Sequence, residues 1–576
     1  MKRVIISALT FIVFLPAANA QNNVILEAMK DELARSIKEL KLETEPGPYF
    51  ISYLINDSFN LRIQANSGAV VSNSGSRVRL LRVDARVGDY DRDNYNFSSL
   101  TNSTGHPRQI QIITDDDYDA IRRAIWLETD SAYKAAVDTL NRKNATLRNT
   151  TQTDRPPDFS KGGAARSIAE ANDISVPGAR WEERVSQIAG LFLRDGNIER
   201  SNVDLFIRVA NTYVVNSDGA ETLEPAAITQ LRITASARAE DGMPLDNYRV
   251  YTVVRAEDLP DQKTIETDVR ALISELVAAR TAPIGDEYNG PVLFEGESAG
   301  ELFVQGFVNY LKGTRTSDVD NPQLAGLINQ SANPFISRIN TRVAANFLSI
   351  KDTPSLKRYQ GKDLPGVYDV DSEGIPAQDV SLVENGILKN LLMSRTPVKG
   401  IEASNGHGRG RTVVPGVLHV TSENRKSSGQ LRQDLIEAVK DEGLKYGYII
   451  RGLVPTGESG GANEIIQLLL GQAQGQSEPS QFRLSKPYSI FRLYADGREE
   501  PVRGLEFGVI SMNALRSVLA TSEDETVYCF PGAGMGNAST VITPSLLING
   551  IDLRKSTGNY PKPPEVDSPI GNRKLF

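Results

Sequence analysis

The chain has 576 residues, of which 40% are hydrophobic, 7% aromatic and 24% charged, an ordinary globular balance with enough apolar material for two or three sizeable domains. Three histidines (His106, His407, His419) and one cysteine (Cys529) exclude an internal disulfide scaffold and any Cys-rich zinc or iron–sulfur module. A net charge of −8 argues against a broad nucleic-acid footprint.

Residues 1–20 read as a secretory signal. Met1-Lys2-Arg3 is basic, residues 4–15 are an apolar run too short to span a bilayer comfortably, and Ala18-Asn19-Ala20 is a small-x-small cleavage signal. Cleavage after Ala20 removes Lys2 and Arg3 and takes the charge from −8 to −10. A periplasmic or secreted location is expected, and no later segment looks membrane-spanning. In an oxidising compartment the lone Cys529 reads as a buried small residue.

Leu26, Met29, Leu33, Ile37 and Leu40 line one face of a helix, which Pro46-Gly47-Pro48 stops. Residues 49–55 read as a strand, with a turn at Asn56-Asp57. Leu61, Ile63 and Ala65 alternate up to a break at Asn66-Ser67-Gly68. Val78 and Leu80 alternate in one phase and Val83, Ala85 and Val87 in the other, which predicts a bulge near Leu81. Asp115-Asp116-Asp117 precedes a helical pattern from Tyr118 to Leu140 and suits a helix start better than a metal. Residues 141–180 read as an irregular excursion.

A second strand set follows at 203–215, 230–238 and 249–255, with Asn216-Ser217-Asp218-Gly219 placed much as Asn66-Ser67-Gly68 is in the first, a hint of internal duplication. Ile265, Val269, Leu272 and Leu276 form another helix face. Pro283-Ile284-Gly285 is the best domain boundary, dividing 21–285 from 286–576. Strand and turn signals dominate beyond it, with Gly/Ser/Gln-rich loops at 456–462 and 471–480.

Some motifs fail. Asp89-x-Asp91-x-Asp93 begins like a calcium loop but has Asn94 at its sixth position and Leu100 at its twelfth. Gly532-Ala533-Gly534-Met535-Gly536 mimics a dinucleotide fingerprint, with Pro544 where a helix should run. Residues 405–411 (NGHGRGR) form a flexible basic loop. A solvated hairpin is its plain reading, and an anion or peptide carboxylate its sharper one.

Residues 286–310 read DEYNGPVLFEGESAGELFVQGFVNY. They are followed by D-x-E-G-x-P at 371–376, L-x-E-N-G-x-L-K at 382–389, SNGHGRGR at 404–411 and EEPVRGLEFG at 499–508. This ordered set resembles the TldD/PmbA family, metallopeptidases also called modulators of DNA gyrase, strongly over about 285–555 and more loosely over 25–285. The resemblance implies an α+β protein with an N-terminal α/β domain and a C-terminal domain rich in antiparallel strands. It also implies a zinc site built on His-Glu-x-x-x-His carried by a helix, completed by a cysteine near the C-terminus.

Here the matching stretch has Phe294 and Ala299 at the histidine positions, and only Glu295, the family's general base, survives. Cys529 stands at the cysteine position in a poorly matching context. Glu297 and Glu301, four apart on the expected helix, are weak candidates for a rebuilt cation site with Cys529. His407 or His419 arriving from a distant loop is another rescue.

The family works in pairs, one subunit bearing zinc and a relative lacking the histidines. The expectation is therefore a secreted, zinc-less subunit that needs no cofactor. It would bind an extended peptide or unfolded segment and support proteolysis as a homodimer or as a heterodimer with a metal-bearing relative. Glu295 and Asn405, His407 and Arg409 would line its cleft. The alternatives are an active peptidase with zinc on the rebuilt site, and an oligomeric binding protein without proteolytic context.

Overall fold

A computed structural model describes residues 23–98, 108–148, 155–162, 164–321, 332–410, 412–455, 478–531, 538–558 and 560–561. The signal segment 1–20, His106, Arg411, most of the two Gly/Ser/Gln-rich loops and the Gly532–Gly536 motif lie outside the described residues. Among those described, no helix is long and apolar enough to cross a membrane. The fold is α+β with two large sheets, whose strands come from either side of 283–285.

The first sheet holds β1 (Phe50–Asn66), β2 (Ala69–Arg86), β3 (Gln109–Ile112), β4 (Ile198–Asn216), β5 (Glu221–Arg238) and β6 (Pro244–Val253), in the order β3-β2-β1-β4-β5-β6. Two long hairpins, β1–β2 and β4–β5, meet edge to edge through antiparallel β1 and β4. The first turns at Ser67-Gly68, both at positive φ (50° and 76°), the backbone that matches a two-residue turn to strand twist.

Four helices cover one face. α1 (Val24–Glu39) and α2 (Tyr118–Leu147) pack on Ile51, Tyr53, Ile55, Leu81 and Val83. α3 (Ala179–Gly190) and α4 (Gln262–Thr281) pack on Leu61, Ile63, Val203, Leu205 and Ile233. Asp117 caps α2 by accepting the Ala120 N–H at 2.8 Å, as Asp suits an N-cap.

Three local expectations are corrected. β1 runs straight through Asn56-Asp57 instead of turning there, because Asp57 is neutralised by Arg77 and Arg79 of β2 at 2.7 and 2.6 Å. The register shift lies at Gln64/Ala65, whereas Leu81 pairs regularly with Ile55. The segment 141–180 is not all irregular: α2 extends to Leu147, Arg166–Ile168 pairs in parallel with β5, and α3 begins at Ala179.

The second sheet is mixed. It contains β7 (Tyr288–Phe294), β8 (Leu348–Asp352), β9 (Val380–Glu384), β10 (Val417–Ser422), β11 (Tyr446–Leu453), β12 (Pro487–Tyr494), β13 (Glu499–Val502), β14 (Val518–Pro531) and β15 (Ala538–Lys555). The path is β9-β8-β10-β15-β7-β11-β12-β13, with β14 also on β15. β15 thus touches three other labelled strands, parallel to β10 and antiparallel to β7 and β14. α6 (Ser428–Asp441) packs Leu431, Leu435 and Val439 on Leu293, Ile449 and Leu547. The opposite face carries the main core, with Val292, Phe294, Phe303, Tyr448 and Leu546.

The domains interlock through the D-x-E-G-x-P block. Asp371 accepts the backbone N–H groups of Glu373, Ile375 and Gly408 at 2.9 Å each. Burial and the neighbouring Glu373 push its carboxyl up, to about 8. Gly374 has φ +79°, and a Cβ there would lie 2.5 Å from Ala220 Cβ in the β4–β5 turn, so only glycine fits.

Nearby, Glu224 of β5 accepts the Asp369 N–H at 3.5 Å, while its other oxygen is buried without a partner. Burial first, and then the Asp369 charge, raise its carboxyl from 4.5 to about 7. This raised pKa makes the folded state hold a proton that the unfolded state has released. The contribution is therefore full below about pH 4.5 and is lost as pH rises to about 7. The unfolding free energy from urea titration is expected to fall over that window by roughly 3 kcal/mol, and Glu224→Gln should flatten this component. An unchanged slope in the variant would refute the assignment.

Candidate functional site

The stretch matching the family's zinc motif is not one helix. Phe294 is the last residue of β7, paired with Leu546 of β15 and Ile450 of β11. Gly296 then turns the chain at φ +61°, and α5 (Glu297–Leu302) begins after it. The expected helix carrying both 294 and 299 is thereby corrected: a strand end and a helix cannot present one shared helical face. Phe294 and Ala299 are both 0% exposed within the main core. The Phe294 ring stacks on Phe507, with centroids 6.0 Å apart and planes 17° apart.

Strand alternation turns Glu295 the other way, in phase with Leu293 on the α6 side. There it joins a closed ring of charges. Arg432 of α6 meets Glu295 at 2.6 Å and Glu499 at 3.2 Å, and Arg451 of β11 meets Glu295 at 2.8 Å and Glu499 at 2.7 Å. Burial alone would lower the Arg451 pKa, but its bonds to the two carboxylates outweigh that and raise it. Both oxygens of Glu295 are held by guanidinium groups. A general base needs an oxygen free to take a proton, so this glutamate is built as an ion-pair member.

α5 packs tightly on β14: a Cβ at Gly300 would sit 2.4 Å from Tyr528 Cβ. Glu301 is 2% exposed, and its oxygens accept from the Tyr528 hydroxyl and, at 2.7 Å, from Gln305. Glu297 keeps solvent access from a cleft that crowds it on most sides, and this desolvation raises its pKa against the pull of Arg249. Burial pushes the Cys529 thiol up to about 11, and its Sγ lies 3.5 Å from Thr540 Oγ1, which describes an inert thiol rather than a thiolate ligand.

Arg249 of β6 and Asp268 of α4 face Glu297 from the N-terminal domain. Nothing in the sequence marks these two residues, which a separate domain brings to the cleft. Among the described residues, no group of three or more His, Cys, Asp or Glu side chains gathers as a metal site. With Phe294 and Ala299 offering no donor atom, the residues present do not fit zinc.

The basic loop is corrected too. Asn405, His407 and Arg409 are 7%, 0% and 7% exposed, so they do not form a solvated hairpin and are not offered to a peptide. His407 Nε2 contacts Asp352 Oδ2 at 2.6 Å and its Nδ1 contacts the Asn405 side chain at 2.9 Å. Arg409 donates to the Pro415 and Ala538 carbonyls and stacks over Tyr368. His419 contacts Glu525 at 3.1 Å.

Residues 287–463 match the family model described as the PmbA/TldA metallopeptidase C-terminal domain. A protein named metalloprotease from Archaeoglobus fulgidus is 27% identical over 112 residues, 19% of this chain and 25% of that one. The match thus spans about a quarter of the relative's length. Among solved structures, TldE from Thermococcus kodakarensis aligns over 92% of this chain and 100% of its own, with TM-score 0.58 and 15% identity. A protein named as a modulator of a DNA gyrase from Thermotoga maritima gives the same TM-score and identity over 92% and 99%. The C-terminal region is therefore related to the PmbA/TldD metallopeptidase family. The chain as a whole has the TldE-like fold.

Proposed function

We propose that this chain is a secreted, zinc-less subunit of the TldD/PmbA kind, acting in the periplasm or outside the cell after cleavage at Ala20. It holds extended peptide segments and supports their processing by a metal-bearing relative. The supporting observation is the state of the motif: Phe294 and Ala299 are core, and Glu295 is closed into a four-member ion ring. Main-chain pairing with an exposed strand supplies affinity for extended peptides without sequence selectivity. A role on DNA fits poorly with an acidic chain and a signal sequence.

Metal analysis of the purified protein, with a peptidase assay and a binding assay on a long peptide blocked at both ends, tests this. The expected result is peptide binding, no hydrolysis and far less than one zinc per chain. One zinc per chain, lost together with activity in Glu295→Ala, would overturn the proposal in favour of a rebuilt site on Glu297, Glu301 and Cys529.

A further inference from the structure

We propose that the cavity between the two domains is a site for a small zwitterion, namely a free amino acid or dipeptide. The inference rests on the peptide-handling reading for the source of such a ligand, and on the lining for its chemistry. The cavity measures about 290 Å³, at the small end of the range for ligand sites. Its walls come from β1 and β2 on one side and, on the other, from the 313–317 and 372–373 segments with Gly408, Gly410, Thr412 and Val413.

Both signs of charge line it. Arg82 of β2 uses one N–H on the Gly410 carbonyl, and among the described residues its guanidinium has no carboxylate partner. Arg315 donates through Nη1 to the Pro156 and Pro157 carbonyls and pairs with Asp158 at 3.3 Å, so only its Nη2 is left over. On the acidic side, Glu373 Oε2 accepts the Arg395 backbone N–H at 2.6 Å, and among the described residues Oε1 has no hydrogen-bond donor. Asp84 is already held by the Tyr95 hydroxyl at 2.6 Å and by Arg86 at 3.4 Å.

A simple anion would sit against Glu373, and a simple cation against Arg82. A ligand carrying a carboxylate and an ammonium group satisfies both walls, with charge-assisted bonds at each end. Phe50, Leu54 and Val413 supply apolar surface for its side chain.

The two sequence blocks left without a role converge here. Ser372 and Glu373 come from D-x-E-G-x-P, and Gly408 and Gly410 from the basic loop. Asn405, His407 and Arg409 turn inward and hold the loop, and the alternate glycines face the cavity.

Titration of the full-length protein with Ala-Leu, N-acetyl-Ala-Leu and Ala-Leu amide by calorimetry tests the site. Saturable binding of Ala-Leu is expected, with each blocked form weaker by about tenfold or more. Arg82→Met should weaken Ala-Leu and erase its advantage over the amide. Glu373→Gln, which still accepts the Arg395 N–H, should erase the advantage over the acetylated form. Thr314→Trp, at an exposed rim position, should block binding while leaving the thermal melt unchanged.

No saturable binding up to about 10 mM, or blocked forms that bind as well as Ala-Leu, would overturn the proposal. A long peptide blocked at both ends separates the two readings. If it binds while Ala-Leu does not, the zwitterion site falls and the peptide-holding subunit stands. The reverse pattern keeps the site and removes the peptide-holding role.

Discussion

Restoring histidine at both family positions, Phe294→His with Ala299→His, is expected to yield a weakened protein that still lacks stoichiometric zinc. Phe294 is wholly buried between β15 and β11 and stacks on Phe507. Replacing it with imidazole removes apolar contact and buries a polar ring, at a cost of about 3 kcal/mol. A histidine at the buried Ala299 overfills the same core and costs roughly 1–3 kcal/mol more, less any coupling between neighbours. The ligands would not converge, because residue 294 ends a strand and residue 299 lies on a helix entered through Gly296. Elemental analysis after zinc loading, with urea unfolding, checks both halves. One zinc per chain in a stable variant would show that the backbone here still carries the site.

Arg395→Ala is expected to be the most damaging single change at the domain interface. Arg395 is 0% exposed and reaches from the C-terminal domain into the N-terminal one. Its Nε and Nη2 donate to the Ser160 carbonyl at 2.9 and 2.8 Å, and Nη2 meets Asp218 at 2.5 Å. The guanidinium lies 3.9 Å from the Phe159 ring centroid and 4.8 Å from that of Phe50. Truncation leaves Asp218, among the described residues, with only the Tyr90 hydroxyl at 3.0 Å and opens a cavity between the rings, a loss of about 3 kcal/mol. Lysine should not rescue it, since a point charge cannot both stack and fork. Urea unfolding followed by domain-specific fluorescence is expected to separate into two steps in the variant. A single step with an unchanged midpoint would show that the clamp adds nothing.

Much of this architecture was legible in the residues. The hairpin break at Ser67-Gly68 and the acidic start of α2 both depend on neighbours within a few positions. The failures share a cause. Asn56-Asp57 looks like a turn because a buried Asp is costly, and what removes the cost is Arg77 and Arg79 on the adjacent strand. Arg79 also fills a core-facing position with a charge, so the alternation of Val78 and Leu80 seemed to slip out of phase where β2 in fact pairs regularly, from Ser72 to Arg86. At the candidate site, the loss of both histidines is plain from the sequence. The direction of Glu295 is not, because Arg432, Arg451 and Glu499 come from three separate elements.

The position of β15 bears on the order in which the molecule can assemble during synthesis. Every strand of the first sheet lies between residues 50 and 253, so that half can close while the rest of the chain is still emerging. The second sheet cannot. Its strand at 288–294 is hydrogen-bonded to residues 546–553, a separation of roughly 250 residues and therefore a slow, high-entropy closure. Until the strand at 538–555 is made, β7 and β10 lack a neighbour and their edges stay open to wrong partners. A ribosome or translocation channel that releases this protein therefore delivers one finished domain attached to one that waits for its last strand.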